Sequence, residues 1–207
     1  MKLPALIFDF GNVVAHFDYR KAAERLGRGR GLSGDALLER VRPLGFGQLV
    51  REYECGRLAA EAFSAEVCKV ARLEVGHDEF AAAWADIFTL NEPVAALVGD
   101  LKRAGYTLVL GSNTNDLHAA QFRRQFAATL AHFDRLVLSY EVGHVKPSRE
   151  FYRACVSAAG APAAACVFID DLPENVDGAR AAGLAGLLYR DPTTLAADLD
   201  AVLGRVP

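Results

Sequence analysis

The sequence predicts an α/β fold, a doubly wound parallel sheet carrying one inserted all-helical unit. Three observations predict it. Five short apolar runs, at 5–10 (ALIFDF), 107–110 (TLVL), 136–139 (LVLS), 166–169 (CVFI) and 186–189 (GLLY), are continuous rather than alternating. That is the pattern of strands covered on both faces. The later runs alternate with amphipathic helical patterns, which implies parallel neighbours joined by helical crossovers. Finally, nearly a hundred residues with no convincing strand separate the first run from the second, where a crossover needs only about a dozen.

Taken in order, the first run ends on Asp9-Phe10-Gly11-Asn12. In the long interval that follows, Phe63, Val67 and Val70 make one helical stripe, and Phe80, Trp84, Ile87 and Phe88 another. Glycines between 27 and 34 and at 45, 47, 56 and 76 divide this interval into about four helices. The insertion is therefore expected at 15–88, with 1–14 and 89–207 forming the α/β core. Past it, Val94, Leu97, Val98 and Leu101 follow the i, i+3, i+4, i+7 rule, and Gly105 supplies a stop. Ser148 opens and Gly160 closes a helix bearing Phe151, Tyr152, Cys155 and Val156.

Composition narrows the function classes. With 23 Lys+Arg against 26 Asp+Glu the net charge is −3, so the broad basic field of a nucleic-acid or membrane-surface binder is missing. Arg25, Arg28 and Arg30, interleaved with glycines, read as a solvated loop. No apolar run approaches the roughly 18–20 residues of a membrane span, and the N-terminus lacks the pattern of a signal peptide. The four cysteines show no CxxC or metal-type spacing and read as reduced thiols in a cytoplasmic protein. At 207 residues, the chain is worth about 1.4 domains at roughly 150 residues each, which suits one domain with an insertion.

In open α/β sheets ligands collect at the carboxyl ends of the strands. There this sequence places Asp9 to Asn12, then Ser112-Asn113-Thr114-Asn115, then Lys146-Pro147, then Asp170-Asp171. Singly, each has an ordinary reading as a cap, a turn or a surface residue. Adjacent acids ending an apolar strand, however, repel unless something positive neutralises them. Two carboxylate loops, a hydroxyl and an ammonium suit a divalent cation plus a phosphoryl group.

These four segments resemble the motifs of the haloacid dehalogenase-like hydrolases, in the family's order. IFDFGNVV is similar to the first motif, LVLGSNTN to the second, VKPSREFY to the third and VFIDDLPENVDGARAAG to the fourth. The helical insertion matches the small-cap subclass, and the Asp-x-Gly-Asn opening is shared with bacterial α-D-glucose-1-phosphate phosphatases. The resemblance implies a phosphatase of small phosphorylated metabolites, a sugar phosphate such as a hexose 1-phosphate best of all, acting as monomer or homodimer. It implies Asp9 as nucleophile, forming an aspartyl-phosphate. Mg²⁺ would be held by Asp9, the Gly11 carbonyl and Asp171, with Asp170 close behind. Ser112, the Asn113 backbone N–H and Lys146 would grip the transferring phosphoryl group.

The sequence departs from the family at Gly11, where phosphatases usually carry a second Asp as general acid for the leaving group. That group is typically worth about 10²–10⁴ in rate. His16, Asp18 and His144 are candidate substitutes, and an anomeric leaving oxygen needs less help than an ordinary alkoxide. Two other readings stay open: a metal-independent 2-haloacid dehalogenase, and a catalytically weakened binding or scaffold protein on the same fold. A phosphonate hydrolase would need an insertion lysine, for which Lys21 and Lys69 are poor candidates in helical patterns. His77, His118 and His132 are expected to be structural or surface residues.

Overall fold

A computed structural model describes residues 3–203. Strands β1 (Ala5–Phe8), β4 (Thr107–Ser112), β5 (Arg135–Leu138), β6 (Cys166–Asp170) and β7 (Ala185–Leu188) form one sheet in the order β5-β4-β1-β6-β7. Every pairing in it is parallel. The chain moves outward from β1 to β4 and β5, then returns to the other side of β1 for β6 and β7. The resulting switch point opens a crevice at the carboxyl ends of β1, β4 and β6.

Alternate residues of one strand enter different cores, which is why the strands read as unbroken apolar runs. Leu6, Phe8, Leu108, Leu110, Val167 and Ile169 enter one core. It is closed by helix α6 (Glu92–Arg103) through Val94, Val98 and Leu101. Ala5, Ile7, Val109 and Phe168 enter the other, under Phe151, Tyr152 and Cys155 of α10 (Arg149–Ala159). The edge strands correct one expectation: β7 is only half-buried and its first residue is exposed. An edge strand has one neighbour and meets helices along part of its length, so its apolar pattern overstated its burial.

A second correction lies in the insertion. Strands β2 (Ala15–Phe17) and β3 (Phe88–Leu90) pair antiparallel, with Ala15 opposite Leu90 and Phe17 opposite Phe88. Three residues are too few to carry a period of two, so neither was visible as a strand. The ribbon brackets five α-helices rather than about four: α1 (Tyr19–Gly27), α2 (Gly34–Val41), α3 (Phe46–Glu54), α4 (Ala60–Ala71) and α5 (His77–Ala85). Gly45-Phe46-Gly47, which reads as a loop, opens α3 instead. Ile87 and Phe88 lie past the end of α5 rather than on its stripe.

These helices pack around their own apolar cluster, including Leu26, Leu37, Phe63, Val67, Phe80 and Trp84. Aromatic stacking carries that cluster onto the core. Tyr19 stacks on Trp84 at 5.1 Å, and Trp84 on the ring of His118 at 4.9 Å. His118 belongs to α7 (Asp116–Gln125), the helix that follows β4. The four cysteines are buried and unpaired, and no helix among the described residues is long and apolar enough to cross a membrane.

Candidate active site

Strand register brings the predicted residues together. Phe8 is level with Leu110 on one side and Ile169 on the other. Asp9 therefore emerges beside Asp170, with Ser112 two residues past Leu110 on the neighbouring strand. A bond from Asp9 N to the Ile169 carbonyl, 2.8 Å, fixes the exit of β1. Asp9 Oδ1 accepts from Phe10 N at 2.7 Å, which orients the carboxylate. The chain then folds back on itself, Val14 and Ala15 N–H both donating to the Phe10 carbonyl. Asn12 takes the left-handed conformation, φ 57°, which Asn tolerates better than most residues. Its side chain donates to Asp171 Oδ2 at 3.2 Å.

Lys146 bridges the two strand ends. Its Nζ lies 2.6 Å from Asp9 Oδ1 and 2.7 Å from Asp170 Oδ2, with the side chain almost wholly buried. Asn113 clamps the lysine backbone from β4: Lys146 N donates to Asn113 Oδ1 at 2.8 Å, and Asn113 Nδ2 donates to the Lys146 carbonyl at 3.3 Å. Asp170 Oδ1 is occupied by Leu172 N and Asn175 Nδ2, both at 2.9 Å. Both Asp170 oxygens are thus engaged by protein, the arrangement of a group that supports the site from behind. Asp171 is half-buried and lines an open hollow with Asn12 and His16. Ser112 is buried, its hydroxyl donating to the Asn113 carbonyl at 3.3 Å. It does not cap the next helix; Asn115 does, accepting from His118 N.

Carboxylate oxygens of Asp9, Asp170 and Asp171 lie within 4.8 Å of one another. One ammonium against three carboxylates leaves an excess of negative charge around the buried Asp9 and Asp170. Burial accordingly pushes the Asp9 carboxyl up to about 7, helped by Asp170 and Asp171 and opposed by Lys146. Burial also raises Asp171. For Lys146 the burial penalty is outweighed by Asp9 and Asp170, so its ammonium is held firmly charged. The set of hard oxygen donors with surplus negative charge fits a small divalent cation.

The sequence profile of the haloacid dehalogenase-like hydrolases matches residues 3–183. The chain belongs to this hydrolase family. Among its relatives, the D-ribitol-5-phosphate phosphatase of Bacteroides thetaiotaomicron is 26% identical over 83% of this chain and 84% of that protein. Phosphatase MT3486 of Mycobacterium tuberculosis is 27% identical over 97% and 98%. Bifunctional epoxide hydrolase 2 of Rattus norvegicus is matched over only 22% of its length. A HAD family enzyme from B. thetaiotaomicron, solved with magnesium and inorganic phosphate, shares the fold at TM-score 0.72 and 21% identity, over 91% of this chain and 94% of that one. The L-2-haloacid dehalogenase of Xanthobacter autotrophicus shares it at TM-score 0.67 and 19% identity, over 99% and 84%.

In this hydrolase the position two residues after Asp9 has no room to spare. A Cβ on Gly11 would lie 3.1 Å from the Phe17 ring, so the ring partly occupies the space where an acid at 11 would start. The substitutes suggested by sequence fare unevenly. Asp18 is spent as the N-cap of α1, accepting from Arg20 N, and pairs with the Arg20 side chain. His144 and His16 are exposed, His16 on the rim of an open hollow shared with Asn12, Asn91 and Asp171. Lys21 donates to Thr89 and Lys69 pairs with Glu66, which leaves neither directed at the site. Sequence reasoning missed Asn12 and Asn175 as carboxylate-orienting groups and Glu54 altogether. An Asn one residue past a Gly at a strand end, and another five residues past Asp170, were the available signals for the first two.

Proposed function

We propose that this hydrolase is a cytoplasmic, Mg²⁺-dependent phosphatase of small phosphorylated metabolites, with a sugar phosphate such as a hexose 1-phosphate as substrate. The observation that carries the reading is the convergence of Asp9, Asp170 and Asp171 within 4.8 Å around the buried Lys146 ammonium. We take 15–88 as the cap domain over a core of 1–14 and 89–207, and the protein as a monomer or homodimer.

Asp9, the Gly11 carbonyl and Asp171 would hold the ion, with Asp170 behind them. When bound, the ion supplies positive charge that lets a phosphate dianion approach a carboxylate. Asp9, oriented by the Phe10 N–H, attacks phosphorus in line with the leaving oxygen and forms an aspartyl-phosphate. Lys146 offsets charge on Asp9 and on the transferring oxygens; Ser112 and the Asn113 N–H receive the remaining oxygens. Water then attacks phosphorus and frees Asp9. The helical cap excludes bulk water from these steps. The name of the ribitol-phosphate relative supports a polyhydroxylated leaving group.

Against the dehalogenase reading stand Asp170 and Asp171, which would repel the carboxylate of a 2-haloacid. The test is direct: purified protein should release phosphate from 4-nitrophenyl phosphate with Mg²⁺ and stop on addition of EDTA. Release that ignores the chelator overturns the metal assignment, and halide release from a 2-haloacid without metal overturns the phosphatase itself.

A further inference from the structure

One carboxylate of the cap, Glu54, is held between two contacts that the cap makes with the core. Helix α3 ends at Glu54, and the residues on either side of it are anchored to the core. Tyr53 is buried, stacks on Phe63 at 4.4 Å, and donates its hydroxyl to Asp116 at the start of α7. Gly56, at φ 68°, is packed so closely on α9 (Ser139–Val142) that a Cβ there would overlap the Tyr140 carbonyl oxygen. Two cap–core contacts therefore fix the one carboxylate that lies between them.

Glu54 is half-buried, and among the described residues its carboxylate makes no hydrogen bond and no ion pair. It caps no helix. Its electrostatic neighbours are Lys146 from the core, Arg51 from its own helix and Tyr19 from α1. Several charged groups on the elements packed around α3 are already paired: Asp116 with Tyr53, Glu141 of α9 with Arg123, Glu66 of α4 with Lys69, and on α3 itself Glu52 with Arg57. Asp116 opens the helix that follows β4 and Tyr140 lies in the helix that follows β5, so the contacts of Tyr53 and Gly56 hold Glu54 on the side of the sheet where the strands end, with no hydrogen-bond or ion-pair partner among the described residues. Burial pushes it up to about 7, against the pull of Lys146 and Arg51. It therefore carries a proton for an appreciable part of the time at neutral pH.

We propose that Glu54 is the general acid of this site, in place of the side chain that Gly11 lacks. The inference rests on the phosphatase reading above. As the Asp9–phosphorus bond forms and the phosphorus–oxygen bond to the leaving group breaks, Glu54 gives its proton to the departing oxygen. Its carboxylate then takes a proton from the water that attacks the aspartyl-phosphate, which frees Asp9 and restores protonated Glu54. The sum is ester plus water to alcohol plus phosphate. Placement on the cap makes the proton donor available only when the cap is docked.

The test is a series of aryl phosphates, from dinitrophenyl to phenyl, run with Mg²⁺ on the wild type and on Glu54→Gln, with the rate of phenol release in the first turnover measured. The wild type should depend weakly on leaving-group acidity. Glu54→Gln should be near wild type on dinitrophenyl phosphate and slower on phenyl phosphate by about 10²–10⁴-fold. Glu54→Ala should show the same slope, and Glu54→Asp a partial recovery. A uniform loss across the series, or a change in KM alone, overturns the proposal and marks Glu54 as a binding residue. A wild type inactive on every member overturns the phosphatase reading instead.

Discussion

At the scale of single residues, burial decides what each ionisable group does. His118 is buried between Trp84 and Phe88, with Nε2 on the Trp84 carbonyl and Nδ1 beside Asn115. Burial lowers its pKa from 6.5 to about 3. Because the folded value is depressed, only the unfolded chain takes up this proton in that window. The stabilisation is complete above pH 6.5 and is lost as pH falls toward 3, at about 1.4 kcal/mol per unit. Denaturant unfolding at pH 7 and pH 5 should show this loss in the wild type and much less of it in His118→Gln. Equal losses would mean that His118 titrates normally. Histidine spacing in the sequence shows no zinc-like pattern and says nothing of burial. The position of His118 in the wall between cap and core, below an indole from another element, depends on packing that sequence patterning does not encode.

At the scale of elements, legibility followed length and cover. β1, β4 and β6 were legible because each is apolar on both faces, and α6 and α10 because their stripes and stops are complete. β2, β3 and the start of α3 were not: two are three residues long, and the third opens on glycines that imitate a loop. The candidate site was legible at the strand ends, since Asp9, Ser112 and Asp170 owe their positions to strand register, while Lys146 is held by the Asn113 side chain just past β4. Glu54 was illegible because it looks like any polar residue of an amphipathic helix; only the docking of α3 on α9 gives it a role. Gly56 is the critical point of that docking. Gly56→Ala must strain a positive φ and displace the turn from the Tyr140 carbonyl, so it should cost upwards of about 1 kcal/mol. The melting temperature should fall by roughly 2–4 °C per kcal/mol, and kcat on poor leaving groups should fall more than on good ones. An unchanged melting temperature and unchanged kcat would show that the turn is not held against the core.

At the scale of the whole molecule, the sheet and the inserted helices divide the chemistry. The sheet gathers anionic groups and one buried ammonium at its switch point, a cluster whose surplus negative charge fits a small divalent cation. The helices bring Glu54 toward that cluster through contacts made by Tyr53 and Gly56. The nucleophile, on this account, is ready as soon as the ion is present, and the proton donor only when the cap is in place. In this mechanism the phosphoryl group passes through Asp9. Rapid acid quench during turnover of an aryl phosphate with Mg²⁺, followed by mass analysis of the peptide bearing Asp9, tests it most directly. A phosphoryl group should be found on Asp9 in the wild type, and none in Asp9→Asn or in the presence of EDTA. Turnover with no phosphorylated Asp9, or with the phosphoryl group on a different residue, would rule Asp9 out as the nucleophile.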